Sequence, residues 1–83
     1  MVLYVLPEGS NTRAGFACPR SIGGAVIRNR ARRLMKEAWR CCLSRVRQGN
    51  EVMVVARPEI RGANLHEVVK DLEATLAIAG VLE

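Results

Sequence analysis

Little in this sequence supports catalysis by its own side chains. Among 83 residues there is one histidine, His66, with no second His or Cys at ligand spacing, which argues against metal ligation and proton transfer. The cysteines number three, Cys18, Cys41 and Cys42. An odd count, two neighbours about 100° apart on a helix, and no C-x-x-C spacing argue against a disulfide framework or a zinc site. They read instead as small core residues in a reducing cytoplasm. Aromatics are equally scarce: Tyr4, Phe16 and Trp39 are the complete set. No apolar run approaches the roughly 20 residues needed to cross a bilayer, and the start lacks the charged-then-apolar order of a signal peptide. A soluble, cytoplasmic chain with no membrane partner is expected. The adjacent glycines Gly23 and Gly24 lack the spacing of a Walker or dinucleotide fingerprint. The length gives room for one domain, residues 1–83, with one modest core.

Acidic residues are missing from one stretch above all. Between Arg28 and Arg47 there are eight basic side chains, seven of them Arg, and a single acid, Glu37. The net charge of +5 is correspondingly lopsided: residues 1–50 carry ten basic and two acidic side chains (+8), residues 51–83 three and six (−3). The charge therefore belongs to a face. On a helical wheel Ile27, Ala31, Leu34, Met35, Ala38, Cys41 and Cys42 share one apolar arc. Arg28, Asn29, Arg32, Arg33, Lys36 and Arg40 share the opposite one. Arg28, Arg32, Lys36 and Arg40 recur every four residues, so they stack as like charges that repel mildly. An exposed helical face is normally charged, yet one without counter-charges points to a polyanion. Arginine over lysine favours bidentate phosphate contacts and base stacking, hence nucleic acid.

The remaining elements follow from local pattern. Met1 to Leu6 is apolar on both alternating faces, as in a strand covered on both sides. Residues 7–12 form a turn cluster, and Arg13 to Cys18 reads as the return strand of a hairpin, with Gly15 marking a bulge or close backbone approach. Pro19, lacking an N–H, ends the ladder. Arg20 to Gly24 is a loop. The central helix is expected from about Ala25 to Arg47, stopping at a left-handed Gly49, with Arg45 and Arg47 at the negative end of its dipole. Glu51 to Arg57 is a third strand closed by Pro58. Asn64 and Glu67 have capping-box spacing, and Leu65, Val69, Leu72, Leu76 and Ala79 form the stripe of a last helix ending at Gly80. The order strand, strand, helix, strand, helix predicts an α+β fold in which a central basic helix links two parallel strands of a small sheet.

These residues support a resemblance. Gly15-Phe16-Ala17-Cys18 followed by Ile22-Gly23-Gly24-Ala25-Val26-Ile27-Arg28-Asn29-Arg30-Ala31-Arg32-Arg33-Leu34-Met35-Lys36-Glu37-Ala38 is similar to the central block of the bacterial ribonuclease P protein subunit. Val2-Leu3-Tyr4-Val5 and Val54-Val55-Ala56-Arg57-Pro58 resemble its flanking strands. The resemblance covers nearly the whole chain. It implies a ribosomal protein S5 domain 2-like arrangement with a left-handed β-α-β crossover, against the general right-handed rule. It also implies a protein that assists an RNA catalyst. The partners would be the catalytic RNA subunit and the 5′ leader of precursor tRNA, with magnesium as cofactor, held mainly by the RNA.

Carried over by position, Arg28, Arg32 and Lys36 would line the leader cleft, Asn29 beside them, with Val2 and Tyr4 on its floor. Arg30 and Arg33 would face the RNA subunit. Arg20 keeps one cation of a basic run that the family places before the glycines, where this chain has Pro19, Arg20 and Ser21, and Arg40 continues the stripe. The family opens with an arginine-rich helix bearing phenylalanines that walls the other side of the cleft, whereas this sequence starts at the strand. Reduced base stacking, worth about 1–3 kcal/mol per base, and self-association through an exposed cleft are the expectations. Trp39, at the edge of the basic arc, either stacks on RNA or packs beneath arginine stems.

Three functions compete: a ribozyme cofactor, a general RNA-binding or ribosomal, RNA-chaperone-like module without leader selectivity, and a protein-only nuclease or redox enzyme. The last is disfavoured because no acidic cluster lies on the basic face. Purified free of nucleic acid, the chain is expected not to cleave precursor tRNA in magnesium, and cutting by the protein alone would overturn the cofactor reading.

Overall fold

The computed structural model describes residues 1–6 and 12–83; the predicted turn over residues 7–12 lies almost wholly outside them. The elements are β1 (Val2–Leu6), β2 (Arg13–Ala17), α1 (Ala25–Cys42), β3 (Glu51–Val55) and α2 (Leu65–Ile78). Short 3-10 turns cover Arg20–Ile22, Leu43–Arg45 and Pro58–Ile60.

The sheet order is β1-β3-β2. β2 and β3 are parallel, as a helical crossover requires, but β1 and β2 do not form the expected hairpin. β3 lies between them, antiparallel to β1, with Val2 opposite Val55 and Tyr4 opposite Met53. Proximity along the chain is outweighed by burial: β3 carries the inward pair Val52 and Val54, the latter wholly enclosed, and the central place bonds both of its edges. Gly15, which weakens β2, sits on an edge strand.

Nor is β1 covered on both sides. Leu3 and Val5 pack on the core with Ala14, Phe16, Val52 and Val54, whereas Tyr4 is 62% exposed. Alternation puts Val2, Tyr4, Gly15 and Met53 on the outer face of the sheet. No bulge interrupts the β2–β3 register, and what comes close to Gly15 is a side chain and not backbone: a Cβ there would lie 2.9 Å from the Met53 methyl.

On the inner face α1 buries Ala31, Met35, Ala38, Trp39 and Cys42, an i, i+4, i+7, i+8, i+11 arc. This arc is turned toward Trp39 relative to the predicted one, so Cys41 is exposed and is no core residue, and Ile27 lies at the margin. Trp39 packs inside, edge-on to Phe16 at 6.5 Å and 71°. The Cys42 thiol is pushed above its ordinary pKa by burial first, then by Glu73 and Cys41, with Arg45 opposing.

α1 also stops earlier than Arg47. After Cys42 the α-helix tightens into a 3-10 turn over Leu43–Arg45 and the chain becomes extended at Val46, which turns Val46 into the core and lets it bridge Leu82. Arg47 N–H donates to Val81 O at 2.7 Å and Glu83 N–H to Arg45 O at 2.7 Å. Gly49 does adopt positive φ, 87°, but in the turn into β3 and not as a helix cap. Arg45 is paired with Glu73 at 3.0 Å, so the carboxylate on α2 takes up the charge assigned to the dipole.

α2 begins with the predicted capping box: Glu67 N–H donates to Asn64 Oδ1 at 2.9 Å and Asn64 N–H to Glu67 Oε1 at 3.0 Å. Its buried stripe is Val68, Leu72 and Leu76, with Val69 alongside; Leu65 and Ala79 of the predicted stripe face solvent. α2 packs against α1 and closes the core. Leu72→Ala, at a fully enclosed position, is expected to cost about 2–5 kcal/mol, read as a lowered urea midpoint with an unchanged slope.

Candidate nucleic-acid interface

The apolar arc of α1 decides where its charges go. With Met35, Ala38, Trp39 and Cys42 turned inward, the opposite arc must face solvent. There Asn29, Arg32, Arg33 and Lys36 line one shallow groove of about 510 Å³ together with Val26. Gly24 caps α1 without a side-chain hydrogen bond, and no acid occupies its first turn, so the exposed N–H groups and positive dipole end reinforce the same sign.

Within the groove Arg32 Nη1 donates to Asn29 Oδ1 at 3.2 Å, which holds that guanidinium over the helix. Among the described residues no carboxylate lies within 4.0 Å of Arg28, Arg32, Arg33 or Lys36, since the ion pairs involve Met1–Asp71, Arg13–Glu51, Arg40–Glu37 and Arg45–Glu73. Arg40 differs: Glu37 Oε1 lies 3.0 Å from its Nη1, so its charge is offset within the helix.

The other predicted residues are dispersed. Arg28 is half-buried, and its Nε is shielded from solvent without a hydrogen-bond partner among the described residues, because the rotated arc draws this end of the stripe toward the core. Arg30 points elsewhere, donating to Ala63 O at 2.7 Å in the loop before α2. Arg20 is exposed on the 3-10 turn ahead of α1. Val2 and Tyr4 lie on the outer sheet face, where Tyr4 shares a depression of about 220 Å³ with Arg13, Gly15 and Met53. Helix groove and sheet floor are thus separate depressions.

Two residues escaped the sequence reading. Val26 is 83% exposed and belongs to the basic groove; its place seven residues before Arg33 put it on the charged arc, a discernible signal. Met53, 44% exposed, extends the sheet floor and was legible only once β3 alternated inward and outward. No group of three or more His, Cys, Asp and Glu side chains among the described residues is gathered to hold a metal ion.

Comparisons with known proteins agree with this architecture. A family profile described as Ribonuclease P matches residues 1–80. The ribonuclease P protein component of Symbiobacterium thermophilum is 40% identical over 84 residues, 99% of this chain and 73% of that protein. That of Caldanaerobacter subterraneus subsp. tengcongensis is 39% identical over 77 residues, 92% of this chain and 66% of that protein. The chain thus spans about two thirds of the length of such curated relatives. The solved structure of the Staphylococcus aureus RNase P protein superposes with a TM-score of 0.84 at 24% identity, covering 98% of this chain and 75% of that one. The Thermotoga maritima RNase P protein gives 0.79 at 22% identity, covering 89% and 72%. Both share the fold.

The ion-pairing pattern makes a graded prediction for α1. Arg32→Ala is expected to lower the slope of log affinity against log salt for a single-stranded RNA by about one phosphate contact. Arg40→Ala should lower it less, because Glu37 already offsets that charge. Equal slopes for Arg32→Ala and the parent chain would mean that Arg32 does not touch the RNA backbone.

Proposed function

The chain belongs to the ribonuclease P protein family, and from that membership we propose that it is the protein subunit of a tRNA-maturing ribonucleoprotein, binding the catalytic RNA and the 5′ leader of precursor tRNA. The observation that carries this reading is the groove of Asn29, Arg32, Arg33 and Lys36, which has no carboxylate against its cations among the described residues.

The role follows from electrostatics. Leader, tRNA body and catalytic RNA are all polyanions, and bringing them together is opposed by phosphate repulsion. Fixed guanidinium groups relieve that repulsion and release condensed counterions, giving affinity that falls steeply with salt. The helix stripe holds the backbone; Val2, Tyr4 and Met53 on the sheet offer the flatter, more apolar surface that bases rest on. Arg30, off the stripe, is assigned to the RNA subunit.

The chain is then a subunit of an endoribonuclease whose chemistry resides in the RNA. Magnesium would be held by RNA phosphates, and the protein's part is to position the strand that the ions act on. Such a particle works in the cytoplasm, and no helix among the described residues is long and apolar enough to cross a membrane. The outer sheet face also offers a surface for self-association.

The deciding experiment compares binding of precursor and mature tRNA to the catalytic RNA with and without the chain. The chain is expected to favour precursor over mature tRNA by on the order of tenfold, about 1.4 kcal/mol. Equal enhancement of both would indicate a general RNA-binding module without leader selectivity.

A further inference from the structure

A second groove lies off the basic stripe, where the start of α1 meets the loop between β3 and α2. It is lined by Ile27, Arg30, Ala31, Ile60, Arg61 and Gly62, with a volume of about 470 Å³, within the roughly 300–1,000 Å³ range of small-molecule sites. Its floor is apolar, formed by the buried Ala31 and Ile60 with Ile27 at the margin. Its rim carries two guanidinium groups and no carboxylate. The neighbouring cleft of about 330 Å³, which shares Ile60, mixes Arg57 with Glu59, Glu67 and Asp71. Of two depressions beside one loop, only the first has a single sign of charge.

We propose that this groove seats one nucleotide of the catalytic RNA, its base on the Ile27–Ile60 floor and its phosphate between Arg30 and Arg61. The inference rests on the RNA-subunit reading above and adds Arg61 and Ile27 to it. Three features support the assignment. Arg30 is already oriented by its bond to Ala63 O at 2.7 Å, so less side-chain freedom is lost on binding, and its other N–H groups stay available to an anion. Arg61 is exposed, and among the described residues its side chain has neither ion pair nor hydrogen bond; its backbone N–H, bonded to Pro58 O at 3.1 Å, holds the loop independently. Gly62 has φ of 77° and open space where a Cβ would stand, so no side chain narrows the mouth. An apolar floor under paired guanidinium groups matches a base and its phosphate, not a protein strand.

The test uses the full chain carrying Arg61→Ala, Ile27→Ser or Arg32→Ala, each checked for folding by thermal melting. Affinity is measured across salt for a bacterial ribonuclease P RNA and for a single-stranded oligonucleotide of about ten nucleotides. Arg61→Ala is expected to weaken binding of the ribonuclease P RNA about fivefold and lower its salt slope by about one, leaving the oligonucleotide unaffected. Ile27→Ser should weaken the same RNA severalfold with the slope unchanged, because it removes an apolar contact and no charge. Loss with Arg61→Ala but not Ile27→Ser overturns the base seat, as does equal loss on the oligonucleotide. If neither variant matters while Arg32→Ala weakens binding, this groove is not an RNA site and the wider reading stands; if Arg32→Ala is also silent, both fail.

Discussion

The burial of one side of α1 governs everything else in this molecule. Met35 and Ala38 are wholly enclosed, Cys42 nearly so, and Trp39 meets Phe16 of β2 edge-on. Each such contact is apolar and undirected, worth about 25 cal/mol per Å² removed from water, but their arrangement on an 18-residue helix leaves only one rotation about its axis. That rotation delivers Asn29, Arg32, Arg33 and Lys36 to a common groove, lifts Cys41 to the surface, and draws Arg28 inward until its Nε loses access to solvent. Charge placement is thus a by-product of core packing, and the cations need no mutual attraction to be assembled.

The two halves of the sequence divide the electrostatic work. α2 supplies carboxylates where a structural cation must be held, as Glu73 does for Arg45, while α1 keeps its own acid, Glu37, against Arg40 near its end. Between them the described ion pairs leave the middle of α1 unneutralised. A surface of this kind is held together by the hydrophobic face beneath it, which outweighs the mild internal repulsion of its like charges.

Much of this was legible in the residues. The capping box at Asn64 and the start of α1 at Ala25 follow from spacing, the parallel relation of β2 and β3 from the helix that links them, and the wheel groups Asn29, Arg32, Arg33 and Lys36, although it also places Arg28 and Arg40 with them. Strand adjacency was not legible: a turn-rich segment after β1 suggests a hairpin, but the choice of β3 as the central strand is a tertiary matter, decided by which strand buries Val52 and Val54. The end of α1 was missed because its pattern continues past Cys42; only the long-range bridge from Val46 to Leu82 breaks it. Exposure of Cys41 and burial of Trp39 depended on a small turn of the helix that a wheel drawn from one end does not resolve. The second groove was invisible in the sequence, since Arg30 and Arg61 are far apart along the chain and share a rim through the loop fold alone.

The gap over Gly15 has a consequence for the outer face of the sheet. At that point the surface is filled by the Met53 thioether, whose methyl lies where a Cβ on residue 15 would intrude. Thioether side chains are unbranched and polarisable and change shape by rotating single bonds. The contour of this face is therefore set by a rotor seated on a hydrogen-bonded strand: it can be remoulded by torsion alone while the backbone ladder beneath stays in register.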